Sequence, residues 1–283
     1  MNTIDHICFI GTPEFAVPVL SGLRTTFQNS RLSVITMPDR PKGRGSRMQE
    51  TPVAALATTH GLPLFKPESN KELSACIIDL SPSLIIVVAY GRIIEKSITD
   101  RFFCVNIHSS LLPKYRGASP IHTALLNGDK TTGVTLIKMN ERMDEGDIVL
   151  KKELIIQNND NLGTLTDALS NLGATACIEF IQYSFLQNQV VLTKQDHGKA
   201  TYSKKIQKSD LHIESLENLA DVHDKIRAYA PKPGAYVIHH GVRIKLIEST
   251  FSDGVFTLVN VQPEGKTIMS YSDFLRGGGK AIV

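Results

Sequence analysis

The chain has no C-x-x-C pair, no long apolar run and no large excess of charge of one sign. Its four cysteines, Cys8, Cys76, Cys104 and Cys177, are scattered through apolar surroundings. That spacing excludes a zinc site or a disulfide framework and reads as reduced core thiols of a cytosolic protein. No stretch approaches the length that crosses a bilayer, and residues 1 to 20 already hold a strand and its turn. Neither a membrane anchor nor a targeting segment is expected, and the chain reads as soluble and cytoplasmic. The net charge is +3 over 283 residues, too small to argue for a nucleic-acid partner without a localised patch. Gly11 is followed by Thr12 and Pro13 rather than by G-x-G-x-x-G, so a dinucleotide site has little support. Repeats and low-complexity segments are absent.

What is present is an ordinary globular balance, 42 % apolar and 21 % charged, with length for one large or two ordinary domains. His6–Ile10, Leu32–Thr36 and Leu84–Ala89 are apolar runs without polar alternation, as buried parallel strands require. Helical patterns separate them, over Phe15–Leu23, over Thr51–His60 with Thr51 as N-cap and Pro52 at the first helical position, and over Leu73–Leu80. The economical fold is α/β, a doubly wound, mostly parallel sheet. Further on, a helix from Ile121 to Leu126, strands at Thr132–Lys138 and Ile148–Ile156 and a long helix from Leu162 to Leu186 complete the first unit. From about Ile206 an amphipathic helix, Leu216–Tyr229, precedes short β-type runs at Tyr236–His239, Val242–Ile247, Val255–Val261 and Thr267–Met269, a small β-rich, barrel-like second domain. The expected division is a catalytic domain over 1–189, a linker over 190–205 and a C-terminal domain over 206–283.

The chemistry concentrates in Cys104–Pro120, reading CVNIHSSLLPKYRGASP. Asn106 and His108 are two residues apart on a short strand, so both project from one face. An amide beside an imidazole at a strand end suggests a site, although the same pattern fits polar residues capping backbone groups at a turn. Ligands of a doubly wound sheet bind beyond the carboxyl ends of its strands, which adds the loop Gly11–Glu14 and the turn Tyr90, Gly91 and Arg92. The acidic loop Met139–Asp147 has the composition of a solvated turn with Gly146 at a positive φ. Asp144 stands out there because the loop leaves a strand of the same sheet, and a carboxylate that reached His108 would fix its tautomer.

A second loop, Met37–Gln49, carries Arg40, Lys42, Arg44 and Arg47 with only Asp39 in opposition. That composition fits a solvated connection, or a loop that orders on phosphate or RNA. Residues 208–283 hold nine bases and nine acids, split into an acidic stretch, Asp210–Asp224, and a basic one, Lys225–Lys245. The split fits an electropositive strip or two faces that neutralise each other.

Taken together, FIGTPEFAVPVL at Phe9–Leu20, PDRPKGRG at Pro38–Gly45, NIHSSLLPKYRGASP at Asn106–Pro120, MDEGD at Met143–Asp147, and PKPGAY with VQPEGKTIMS in the second domain resemble the methionyl-tRNA formyltransferase family. The resemblance implies a Rossmann-like formyltransferase domain that passes the formyl group of 10-formyltetrahydrofolate to the α-amino group of methionyl initiator tRNA, for translation initiation. Position by position it implies a catalytic trio of Asn106, His108 and Asp144, and a folate-binding segment of Ser110, Leu111, Leu112 and Pro113, joined here by Tyr90 and Gly91. It also implies that Arg40, Lys42, Arg44 and Arg47 reach toward the acceptor end of the tRNA and that the second domain grips the acceptor region. That domain reads as abbreviated, because only ESTFSDGVFTL stands between Ile247 and Val261 where a longer strand-loop-strand is expected.

The residue chemistry agrees with the trio. An attacking amine must lose a proton, for which His108 is the natural base. Charge on the formyl oxygen needs a donor, which Asn106 supplies, while Asp144 orients the imidazole. Attack on an activated formamide calls for no metal. A monomer is expected. The same trio and folate segment would serve a formyltransferase acting on an amino sugar nucleotide, against which the PDRPKGRG loop argues, or a hydrolase releasing formate from the folate. A non-catalytic RNA-binding module is the remaining reading.

Overall fold

In the computed structural model the described residues are 4–42 and 47–283; of Lys42 and Arg47 the backbone alone is described, and Arg44 lies outside the described residues. Chain order gives β1 (His6–Gly11), α1 (Val17–Thr26), β2 (Arg31–Ile35), β3 (Arg40–Lys42), β4 (Arg47–Gln49), α2 (Pro52–Thr59) and β5 (Leu64–Phe65). Then come α3 (Asn70–Leu80), β6 (Leu84–Val88), α4 (Lys96–Arg101), β7 (Cys104–His108), β8 (Arg116–Gly117), α5 (Pro120–Leu126), β9 (Thr131–Lys138), β10 (Asp147–Ile155) and α6 (Leu162–Phe180). The chain closes with β11 (Tyr202–Ser203), α7 (Leu219–Tyr229), β12 (Ala235–His239), β13 (Val242–Ser252), β14 (Val255–Pro263), β15 (Met269–Ser270) and α8 (Tyr271–Arg276). Two compact units are drawn from interleaved stretches. One comprises Met1–Arg116, Gly133–Glu153 and Ala168–Thr201; the other comprises Gly117–Thr132, Leu154–Asp167 and Tyr202–Val283.

The main sheet of the first unit has the order β10-β9-β7-β6-β1-β2-β5. Strands β7, β6, β1, β2 and β5 run parallel, and β9 is antiparallel to β7. Every residue of β1 and of β6 is buried, as a sheet covered on both faces demands. Alternation along the strands divides the core. Cys8, Ile10, Ile85, Val87 and Cys104 face a cluster with Leu73 and Ile77 of α3 and Ile98 of α4. On the opposite face Ile107 meets α6, where a Cβ at Gly173 would lie 3.2 Å from its Cγ2.

The helix starts follow local chemistry. Thr51 caps α2 by accepting from the Ala54 amide at 3.0 Å, with Pro52 next. Ser69 caps α3 in the same way at Glu72, so that helix begins three residues before its first large apolar side chain. The basic stretch is more regular than its composition suggests. Its two arms, β3 and β4, pair antiparallel with Arg40 opposite Gln49 and Lys42 opposite Arg47.

The second unit is built on a four-stranded antiparallel sheet, β12-β13-β14-β15. Helix α7 covers it, burying Val222, Ile226 and Tyr229 against Val237, Ile244, Leu246 and Val261. Strands β13 and β14 run further than the apolar runs predict. The whole ESTFSDGVFTL segment is one hairpin, turning at Asp253 and Gly254 with φ of 51° and 77°, which favours Gly at the second position. A register shift between Leu246 and Ser249 interrupts its pairing, and this bulge breaks the alternation that would have announced the strand.

Candidate active site

The direction of strand order changes at β1, which pairs β2 on one side and β6 on the other. This switch point is where ligands of open α/β sheets bind. The loops leaving β1 and β6 are tied together there: the Thr12 hydroxyl donates to the Tyr90 carbonyl at 3.2 Å. Ala89 and Gly91 flank Tyr90 with φ of 47° and 88°, and the turn is braced by Arg92, which donates to the carbonyls of Pro67 and Glu68. The Tyr90 ring does not face outward. It is buried in the apolar cluster beneath the turn, and burial pushes its pKa up. What this turn presents is main chain.

Strand β7, beside β6, carries Cys104, Asn106 and His108 on one face. Cys104 is sealed in the core, whereas Asn106, one pleat on, is half-buried. Among the described residues nothing hydrogen-bonds to the Asn106 side chain, so its amide is free to donate. The His108 ring is buried and doubly constrained. Its Nε2 lies 2.9 Å from the Tyr115 carbonyl, an oxygen that can only accept, so the proton sits on Nε2. Its Nδ1 faces Asp144 Oδ1 at 3.6 Å. Two separate stretches thus meet, the acidic loop through Asp144 and β7 through His108, with Asn106 on the same face of that strand. The tautomer, however, is fixed by the Tyr115 carbonyl rather than by the carboxylate, because Tyr115 takes a left-handed φ of 61°. Asp144 meets the other nitrogen, within ion-pair reach and beyond hydrogen-bond length.

The segment after β7 folds back on itself. The Ser110 hydroxyl donates to the Lys114 carbonyl, Thr135 donates to the Ser110 carbonyl at 2.6 Å, and the Leu112 amide donates to Thr135 at 3.0 Å. Ser110 and Leu112 are therefore buried supports, and Leu111 and Pro113 are the half-exposed members of this segment.

The acidic loop is not the solvated turn its composition suggests. Gly146 is not at a positive φ; Asp144 is, at 55°. Gly146 is required for close approach, since a Cβ there would stand 1.9 Å from the Lys138 carbonyl oxygen. Holding an L-residue in the left-handed region costs on the order of 1 kcal/mol, and neighbours supply it. Gln195, 5 % exposed, donates from one amide nitrogen to the carbonyls of both Asp144 and Gly146 at 2.8 Å. Arg116, 1 % exposed, grips the Gln195 oxygen through Nε and Nη2 at 3.2 and 2.8 Å and meets Glu145 through Nη1 at 3.1 Å. Thr201 accepts from the Tyr115 amide and its carbonyl from the Arg116 amide, both at 2.9 Å. These contacts come from a stretch that reads as a linker. Its exposed, mixed composition hides Gln195 and Thr201, and the only sequence signal for Arg116 is its place in the YRG run.

At the basic hairpin, Arg40 is exposed, and the neighbouring Asp39 is taken up by Lys66 at 2.7 Å. Asp39 therefore does not neutralise Arg40. Lys42 and Arg47 can be placed only as paired backbone positions, and Arg44, also expected from the sequence to meet the tRNA, lies outside the described residues.

Comparison with known proteins adds a family to this geometry. The formyl transferase model matches residues 5–181, and the formyl transferase C-terminal domain model matches 205–254. The chain is 42 % identical to the methionyl-tRNA formyltransferase of Kosmotoga olearia, over 94 % of this chain and 85 % of that one. It is 38 % identical to that of Ehrlichia ruminantium, over 96 % and 97 %. Among solved structures, the methionyl-tRNA formyltransferase from Clostridium thermocellum superposes with a TM-score of 0.62 at 18 % identity, covering 94 % of this chain and all of that one. At that identity the likeness carries the fold.

Proposed function

The chain belongs to the methionyl-tRNA formyltransferase family, and from that premise we propose that Asn106, His108 and Asp144 carry formyl transfer from 10-formyltetrahydrofolate to the α-amino group of methionyl initiator tRNA. The observation that supports this most is the convergence of a free amide, a tautomer-fixed imidazole and a carboxylate at the ends of adjacent strands. The folate is the formyl donor and supplies an activated formamide. The main-chain turn at Tyr90 and Gly91 and the apolar surface of Leu111 and Pro113 are the groups that would hold it. A planar, hydrogen-bonding ring fits such a donor set of backbone amides and carbonyls beside aliphatic side chains.

Each residue then has one task. Asn106 donates its amide N–H to the oxygen on which charge develops. His108 takes the proton of the attacking amine at Nδ1, because Nε2 is already spent on the Tyr115 carbonyl. Asp144 stabilises the ring while it carries that proton, which passes to the folate nitrogen as the bond from that nitrogen to the formyl carbon breaks and tetrahydrofolate leaves. Arg40, Lys42, Arg44 and Arg47 would meet tRNA phosphates, and the chain acts as a monomer in the cytoplasm.

Formylation of charged initiator tRNA, assayed with purified protein, tests the reading. The chain should produce formyl-methionyl-tRNA, and His108→Ala should lower the rate by about 100- to 10,000-fold. Folate turnover with no formylated tRNA, or formate release at the same rate without acceptor, overturns it.

A further inference from the structure

The carboxylate assigned to catalysis sits on a backbone that does not hold itself. Asp144 is an L-residue at a φ of 55°, its loop is pinned to the Lys138 carbonyl by the absence of a side chain at Gly146, and its own carbonyl is held from outside. The holder is Gln195, whose single amide nitrogen spans the carbonyls on either side of Glu145, those of Asp144 and Gly146. An amide side chain can rotate by half a turn and exchange its nitrogen and oxygen. Arg116 prevents this, because its Nε and Nη2 both donate to the Gln195 oxygen and would face a donor if the amide flipped. The guanidinium is buried, and Glu145 accepts from its third nitrogen, so the charge that fixes Gln195 is itself paired within the same loop.

We propose that Gln195 is a positioning residue for formyl transfer: oriented by Arg116, it holds the left-handed backbone of Asp144 so that the carboxylate faces His108 Nδ1. The proposal rests on the assignment of Asp144 made above. Gln195 is buried and both ends of its amide are spent on protein groups, so its effect passes through Asp144 and falls on kcat rather than on KM for either substrate.

A double-mutant cycle tests it on the full-length protein, with steady-state formylation and a thermal unfolding scan for each variant. Gln195→Met keeps the side-chain length and removes both amide groups; Gln195→Glu keeps the oxygen toward Arg116 and removes the donor toward the two carbonyls. Both should lower kcat by about 10- to 100-fold with both KM values unchanged, and should distort the pH profile of kcat in the same sense as Asp144→Asn does. Added to Asp144→Asn, Gln195→Glu should cost less than about threefold more. Full losses that multiply, a loss confined to KM, or wild-type kcat in Gln195→Glu overturn the proposal while leaving the functional reading intact. If Asp144→Asn itself keeps wild-type kcat, the assignment of Asp144 fails first and the proposal with it. Should Gln195→Met fail to fold, Gln195→Glu carries the cycle, since it preserves the bond to Arg116.

Discussion

Asn106 and His108 stand one pleat apart and differ in how the fold spends them. The His108 ring is hydrogen-bonded at Nε2 and faces the Asp144 carboxylate at Nδ1, whereas no described residue bonds the Asn106 amide. A polar group left free at a half-buried position contributes little to stability and is available to a ligand. Asn106→Ala should therefore leave the unfolding midpoint unchanged while lowering kcat by about 100- to 1,000-fold, the cost of one lost oxyanion donor. Paired thermal scans and single-turnover rates check both halves, and a drop in midpoint with normal chemistry would contradict it. The cysteines behave oppositely. Burial pushes Cys104 and Cys177 up to about 12 and raises Cys8 as well. These three are inert core thiols, as their apolar surroundings in the sequence suggest.

At the scale of elements, the site is a strand end plus a loop that another segment straps down. The strand is legible, because two polar residues at i and i+2 in an apolar run can only share a face. The strap is not, because the residues 195–201 have neither periodicity nor apolar content. Gly146→Ala probes the loop directly. Its Cβ would press into the Lys138 carbonyl at 1.9 Å, and backbone at that distance must move. Displacement of Asp144 by about 1 Å should cost roughly 100-fold in kcat, with β9 and the main sheet otherwise folded as judged by far-ultraviolet circular dichroism. Retained activity would show that the loop tolerates a shift, against the close packing observed. In the second unit the basic stretch is partly spent locally. Arg227 pairs with Asp224 at 2.8 Å, Lys225 donates to the His212 carbonyl, Lys245 donates to the Pro233 carbonyl, and Arg243 stacks on Tyr236. Acid and base neutralise one another at the Arg227–Asp224 pair, Lys225, Lys245 and Arg243 are directed to backbone or ring, and Lys232 stays exposed.

Across the whole molecule, three histidines, buried at His6 and His223 and half-buried at His122, link stability to pH. Desolvation lowers His6, His122 and His223 below the ordinary value of 6.5, aided at His6 by Arg31 and at His223 by Arg227. Below that value the unfolded chain binds protons that the folded chain refuses. Stability is thus complete above pH 6.5 and falls as pH drops beneath it, toward the lowered folded values. Urea unfolding at about pH 7.5 and about pH 5.5 should give a lower midpoint in acid, and His122→Phe, which removes a ring shielded by burial alone, should flatten that difference. Equal midpoints for the parent protein would contradict the burial argument. No helix among the described residues is long and apolar enough to cross a membrane.

The sequence by itself determined the parallel sheet, the pairing of Asn106 with His108 and the family, because these depend on local periodicity and contiguous motifs. It also singled out Asp144, though only by its motif and by the sheet its loop leaves. Tertiary structure decided the rest: that Tyr90 turns inward, that Asp144 and not Gly146 takes the left-handed φ, that the Tyr115 carbonyl sets the His108 tautomer, and that Gln195 and Arg116 hold the loop. Each of these rests on hydrogen bonds or backbone approaches between residues distant in the chain, or on one backbone angle that such contacts impose. Side-chain identity read in a line carries no record of either.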